Sequence, residues 1–191
     1  MQECRLAATD IACRRGDRVL FRGISFELGT GEALHLSGPN GIGKSSLMRI
    51  LGGLLRPYAG TVASEGTLAL ADERLALDGH LPLEQALAFW ARLDGTLVDS
   101  DLFGLHDLFD VPVRFLSTGQ RKRAALARVA ASNAAVWLLD EPLNGLDTRW
   151  CEVAQGRIAD HCAGGGIAVI ASHQPLVLPH LRQIALADFV P

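Results

Sequence analysis

Gly38-Pro39-Asn40-Gly41-Ile42-Gly43-Lys44-Ser45-Ser46 decides the fold of this 191-residue chain. Its spacing fits the phosphate-binding pattern G-x-x-x-x-G-K-[ST], and the pattern has a physical cause. Nucleotide phosphates concentrate negative charge in a small volume. Glycines at 38, 41 and 43 let backbone N–H groups approach those oxygens and point inward without Cβ obstruction. Lys44 puts a point charge on the β- and γ-phosphates, and the Ser45 hydroxyl suits a Mg²⁺ position. Outward from the loop the context agrees. Residues 32–37 read as a short strand entering it, and 45–51 as a helix leaving it, with an N-terminus that favours anions. Every residue from 38 to 46 is thus a candidate nucleotide contact.

Hydrophobic residues make up 49 % of the chain, enough for one domain, 1–191, with its own core. Basic and acidic residues nearly balance, 18 against 21, so no electrostatic footprint for nucleic acid or a membrane surface is present. No apolar run approaches the ~18–20 residues of a membrane helix. The first residues, Met1-Gln2-Glu3-Cys4-Arg5, lack an apolar signal core, which predicts a cytosolic chain without direct membrane insertion. Cysteines stand at 4, 13, 151 and 162 with no C-x-x-C pair. They read as reduced packing residues rather than as a metal or haem site, His161 beside Cys162 included.

Strands are predicted over 6–12 and 24–28, separated by the charged turn Arg14-Arg15-Gly16-Asp17, and over 60–64 and 67–71. Helical spacing sets in over 81–93, with a second short helical piece over 99–109. Residues 117–131 read as a basic, alanine-rich helix, 135–139 as a buried strand, 147–161 as a helix and 167–172 as a strand. A last strand is expected over 184–190. Strands alternating with helices give an α/β domain with a largely parallel sheet, and about 75–116 reads as a helical insertion into it.

Two further motifs carry chemistry. Leu138-Leu139-Asp140-Glu141 ends a buried strand. In a phosphate-loop protein such an Asp holds Mg²⁺, directly or through water. Glu141 suits a general base that polarises the attacking water. Leu116-Ser117-Thr118-Gly119-Gln120 opens the alanine-rich helix, with Ser117 as N-cap and Gly119 allowing close backbone approach to a ligand.

Beside the other two motifs, this last stretch resembles the LSGGQ signature of the ABC ATPases, with Thr118 in place of the first glycine. The resemblance runs over essentially the whole chain. Asn144-Gly145-Leu146-Asp147 is similar to the family's D-loop, and His173 stands where the family has its switch histidine at the γ-phosphate. The implied fold is a RecA-like phosphate-loop core with a short helical subdomain and an N-terminal antiparallel β subdomain. The implied activity is ATP hydrolysis with Mg²⁺. Two such domains pair head to tail in the family. Ser117, Thr118, Gly119 and Gln120 would then serve the nucleotide of the partner chain, and a single motif set implies a homodimer.

The ending Gly165-Gly166-Ile167-Ala168-Val169-Ile170-Ala171-Ser172-His173-Gln174-Pro175-Leu176, with 18–26 and 54–60, resembles the ATP-binding subunits of haem exporters that serve cytochrome c maturation. Such subunits are peripheral, on the cytoplasmic face of the inner membrane, and work with integral membrane permease subunits. Their family role is haem export or release of the haem chaperone. An exporter of another small molecule and a nucleotide-gated dimerisation module with slow hydrolysis are the competing readings. At the family's Mg²⁺-binding Gln this chain has Glu73, a further candidate for the metal, whose charge adds repulsion toward phosphate. At the adenine-stacking position stands Cys13-Arg14-Arg15-Gly16. Arg14 offers either a guanidinium plane for the base or a solvated turn charge.

Overall fold

The computed structural model describes residues 4–97 and 102–191. In chain order its main elements are β1 (Arg5–Arg15), β2 (Arg18–Gly29), β3 (Ala33–Ser37), α1 (Lys44–Leu51), β4 (Ala59–Glu65), β5 (Leu68–Ala71), α2 (Leu83–Asp94), α3 (Thr118–Ala131), β6 (Val136–Asp140), α4 (Thr148–Ala163), β7 (Ile167–Ser172) and β8 (Leu181–Ala185). They form two sheets. One is antiparallel in the order β2-β1-β4. The other is parallel in the order β5-β6-β7-β3-β8.

Side-chain alternation explains the layers. Leu34, Leu36, Val136, Leu138, Ile167 and Val169 face one side of the parallel sheet, where Leu47, Met48 and Leu51 of α1 and Leu6, Phe21 and Ile24 of the antiparallel sheet close over them. Trp137, Leu139, Ala168 and Ile170 face the other side and meet Ala124 and Val129 of α3 and Ala154 and Ile158 of α4. Both faces are covered, which is why these strands are near-continuous apolar runs. Each fully buried Leu or Ile stabilises the fold by about 1.5–3 kcal/mol.

Register then places the chemistry. Ser37 of β3 lies opposite Ser172 of β7, and Asp140 of β6 opposite Ala171. Three parallel strands therefore end level, and Gly38, Glu141 and His173 all begin beyond one sheet edge. The crevice outside the carboxyl ends of such strands is the usual ligand position in open α/β sheets.

Four expected elements differ. Residues 99–101 lie outside the described residues. From 102 onward the chain makes short 3₁₀ turns at Leu102–Gly104 and His106–Leu108 instead of continuing a helix. Phe103 takes a left-handed conformation (φ 59°), and the buried Phe103 and Leu105 are spaced by two, not at a helical repeat. At the C-terminal end, the strand is β8 rather than 184–190. It stops at Ala185, opposite Ser37, where β3 itself enters the loop, and a 3₁₀ turn over Leu186–Phe189 then folds Leu186 into the core. The first two strands are longer than predicted and form one hairpin, because register shifts between Ala8 and Cys13 interrupt the apolar alternation. No described helix is long and apolar enough to cross a membrane.

Candidate nucleotide-binding site

The loop between β3 and α1 takes its shape from glycine backbone. Gly43, at the N-cap of α1, has φ 117°, and a Cβ there would stand 3.0 Å from the Phe21 ring. The antiparallel sheet thus presses on the loop and fixes its course. No side chain caps α1 and no acidic residue lies in its first turn, so its leading N–H groups remain available to an anion. Pro39, Asn40 and Gly41 are exposed at the loop's rim, while Ile42 packs onto the core. Ser46 lies beside the Cys13 thiol at the end of the hairpin.

Lys44 is only 5 % exposed. Its Nζ donates to the carbonyls of Gly38 (2.8 Å) and Pro39 (3.3 Å) and stands 3.2 Å from Glu141 Oε1 as an ion pair. Glu141 Oε2 lies 2.9 Å from His173 Nδ1. Glu141 also has left-handed backbone (φ 47°), a conformation that costs of order 1–3 kcal/mol off glycine. Its N–H donates to the Ala171 carbonyl at 2.8 Å, which locks it to β7.

Asp140 is 1 % exposed, and neither of its carboxylate oxygens has a hydrogen-bond partner. Burial pushes its carboxyl above the usual carboxylate value. The Ser45 hydroxyl beside it offsets part of that rise, while the Glu141 and Glu73 charges add to it. A partnerless buried carboxylate next to a hydroxyl suits a hard cation, and Mg²⁺ needs few protein ligands when phosphate supplies others. The residues present therefore fit both the nucleotide and the metal. Glu73 sits in an exposed bend after β5 and makes no hydrogen bond or ion pair among the described residues. Its neighbour Asp72 is held by Arg49 at 3.0 Å.

Residues 117–120, which resemble the signature, bond locally instead. Ser117 Oγ accepts from Gln120 N–H (3.3 Å) and Gln120 Oε1 accepts from Ser117 N–H (2.7 Å), a reciprocal cap on α3. Ser117 and Thr118 are exposed. A Cβ at Gly119 would meet the Gly145 carbonyl at 2.8 Å, so glycine lets this helix start lie against the 144–147 turn. Among the described residues no hydrogen bond or ion pair links 117–120 to the phosphate loop. Arg14 is stacked over Tyr58, its guanidinium carbon 4.8 Å from the ring centroid.

Sequence reasoning passed over Lys122. Its Nζ donates to the Asp140 carbonyl at 3.3 Å. Burial pushes this amine below the ordinary lysine value, against the pull of Asp140, Glu141, Glu73 and Asp72. The available signal was position. Lys122, Leu126 and Val129 fall at i, i+4 and i+7, and the last two are buried.

Comparison with known proteins identifies the family. Residues 21–144 match the family model described as ABC transporter. The chain is 68 % identical over 191 residues, all of both chains, to the "Cytochrome c biogenesis ATP-binding export protein CcmA" of Novosphingobium aromaticivorans. It is 52 % identical to the protein of that name in Zymomonas mobilis, covering 97 % of this chain and 86 % of the other. The solved structure of an ATP-binding subunit of an ABC transporter superposes with a TM-score of 0.80 at 21 % identity, over 88 % of this chain and 79 % of that one. The chain belongs to the ABC transporter family and, within it, to the CcmA group of cytochrome c biogenesis ATP-binding export proteins. It is an ABC-type ATPase and binds ATP.

Proposed function

We propose that this chain is the ATP-hydrolysing subunit of a haem exporter serving cytochrome c maturation, built as a single ATP-binding domain with a helical insertion at about 75–116. The observation that carries the site reading is the buried, partnerless Asp140 carboxylate beside Ser45, at the edge where Lys44, Glu141 and His173 converge. Similarity to export proteins of cytochrome c biogenesis supports the system.

The loop 38–46 wraps the phosphates with backbone N–H groups, and Lys44 leaves its carbonyl partners for the β- and γ-phosphates. Ser45 and Asp140 would hold Mg²⁺, which when bound neutralises charge on the phosphate oxygens. Glu141 orients the attacking water and takes its proton. His173, once parted from Glu141, donates toward the γ-phosphate. Ser117, Thr118, Gly119 and Gln120 present a helix start to the nucleotide of a second copy in a homodimer. Integral membrane permease subunits are the further partners, and the complex places this chain on the cytoplasmic face of the inner membrane.

Steady-state ATPase of the chain alone and of the complex co-purified with its membrane partners tests the proposal, with Glu141→Gln as control. The expected result is turnover that rises in the complex and falls by ~10²-fold or more in the variant, which still binds ATP. Full activity in Glu141→Gln removes the base assignment. Negligible turnover in both preparations, with ATP-driven dimerisation, points instead to a nucleotide-gated module.

A further inference from the structure

The helix that carries the signature also reaches under the hydrolytic edge of its own chain. One turn beyond the exposed Ser117 cap, Lys122 turns inward and donates to the main-chain carbonyl of Asp140 at 3.3 Å. That carbonyl belongs to the peptide joining Asp140 to Glu141, so the amine touches the link between the two carboxylate residues at the end of β6.

The surroundings are strongly acidic. Asp140, Glu141, Glu73 and Asp72 all act on the Lys122 amine through space. Asp72 is already paired with Arg49, and Glu141 with Lys44 and His173. Glu73 and Asp140 form no ion pair among the described residues, and both Glu73 and Glu141 repel Asp140. Lys122 is the cation whose field opposes that repulsion at Asp140. When Lys44 turns to phosphate, Glu141 loses its lysine partner and keeps only the His173 contact, and the weight on Lys122 grows.

We propose that Lys122 is a positioning residue for hydrolysis, pinning the end of β6 through the Asp140 carbonyl and offsetting the mutual repulsion of Asp140, Glu141 and Glu73. Among the described residues it makes no hydrogen bond or ion pair with the phosphate loop, and it acts through the Asp140 carbonyl it holds and the carboxylates around it. The inference rests on reading Asp140 and Glu141 as the hydrolytic pair. It also accounts for an acid at position 73, since a nearby half-buried cation makes that charge tolerable. A surface lysine merely laying its stem on apolar neighbours would do none of this.

The test compares ATPase kinetics of the purified complex, and binding of a fluorescent ADP analogue, for the parent, Lys122→Met, Lys122→Arg, Glu73→Gln, and Lys122→Met in the Glu73→Gln background. Lys122→Met is expected to lower kcat about tenfold, the scale typical of losing a group that orients a metal-site ligand. KM and ADP affinity should stay within about twofold, and Lys122→Arg should restore most of the rate. Because the lost cation matters more when Glu73 is charged, the kcat loss should shrink by about threefold or more in the Glu73→Gln background. Unchanged kcat in Lys122→Met overturns the proposal. So does an equal loss in both backgrounds, or a loss that follows only a lower melting temperature. Lys122→Gln carries the same comparison if Lys122→Met does not fold. Glu141→Gln assayed alongside separates the two levels. If it retains turnover, the reading of the site fails. If it is inactive while Lys122→Met is fully active, only the Lys122 inference falls.

Discussion

At the carboxyl edge of the parallel sheet, Asp140 is buried with both carboxylate oxygens unpartnered, and Glu141 bridges Lys44 and His173. At the start of α3, Ser117 stands exposed, and its reciprocal cap with Gln120 gives each side-chain oxygen a backbone N–H. The first region holds unbalanced charge in a low-dielectric place. The second is preformed, satisfied and turned outward. A region that keeps buried polar atoms without partners is less stable than one whose polar atoms are paired, and a ligand can offset that cost. A capped helix start on the surface gains nothing further from its own chain. It suits an approach from outside. The contrast sets an under-satisfied sheet edge against a capped, outward-facing helix start, and on the proposed function these are two unlike half-sites of one chain.

The comparison can be broken most forcefully at Lys44. Lys44→Ala removes the loop's cation, and ATP–Mg²⁺ affinity should fall by about one to two orders of magnitude, since a charge-assisted contact contributes ~1.5–3 kcal/mol. Equilibrium binding of the variant measures it, and an undiminished affinity would remove the loop from the site.

Asp140 offers a smaller effect with the opposite sign on stability. Burial raises its carboxyl above the unfolded value, so the native chain holds that proton more tightly than the unfolded chain does. The charge therefore destabilises the nucleotide-free fold at pH above the ordinary carboxylate range. The penalty fades as pH falls through the raised native value toward the unfolded one. Asp140→Asn should raise the melting temperature of the nucleotide-free chain by a few degrees at neutral pH, for about 1 kcal/mol, and flatten this part of its pH dependence. The added stabilisation by ATP–Mg²⁺ should shrink in the same variant. Thermal melts with and without nucleotide between pH 4 and 8 follow both.

These two regions also differ in how far the sequence revealed them. Lys44, Ser45, Asp140 and Glu141 were legible because each sits where a strand ends or a helix begins, and such places demand particular residue types locally. The pairing of His173 with Glu141 was not, since the parallel register that joins them is a property of the sheet. Ser117 as a cap was legible from the hydroxyl and the Gln three residues on. Lys122 went unremarked within the basic, alanine-rich helix, although its spacing to Leu126 and Val129 places it on the side of the buried stripe. The 3₁₀ turns beyond residue 102 escaped because a left-handed Phe103 has no signature in the side chain. The strands expected at 6–12 and 24–28 fall short of β1 and β2 because the register shifts break the period of two without ending the strands. The end of β8 is set by where β3 leaves the sheet, a partner 147 residues away from Ile184 by the Ser37 contact.

The most direct test of two half-sites per chain is complementation. One chain carries Lys44→Ala, which spoils the loop, and the other carries Ser117→Arg, which blocks the exposed signature. Each homodimer should be nearly inactive. In the co-expressed heterodimer both lesions fall on one composite site, and the other site has an intact loop facing an intact signature. The account predicts recovery of up to about half the parent dimer's ATPase activity, provided the two sites are not strictly coupled. No recovery on mixing, with activity strictly proportional to enzyme concentration down to the nanomolar range, would contradict it and place the whole site within one chain.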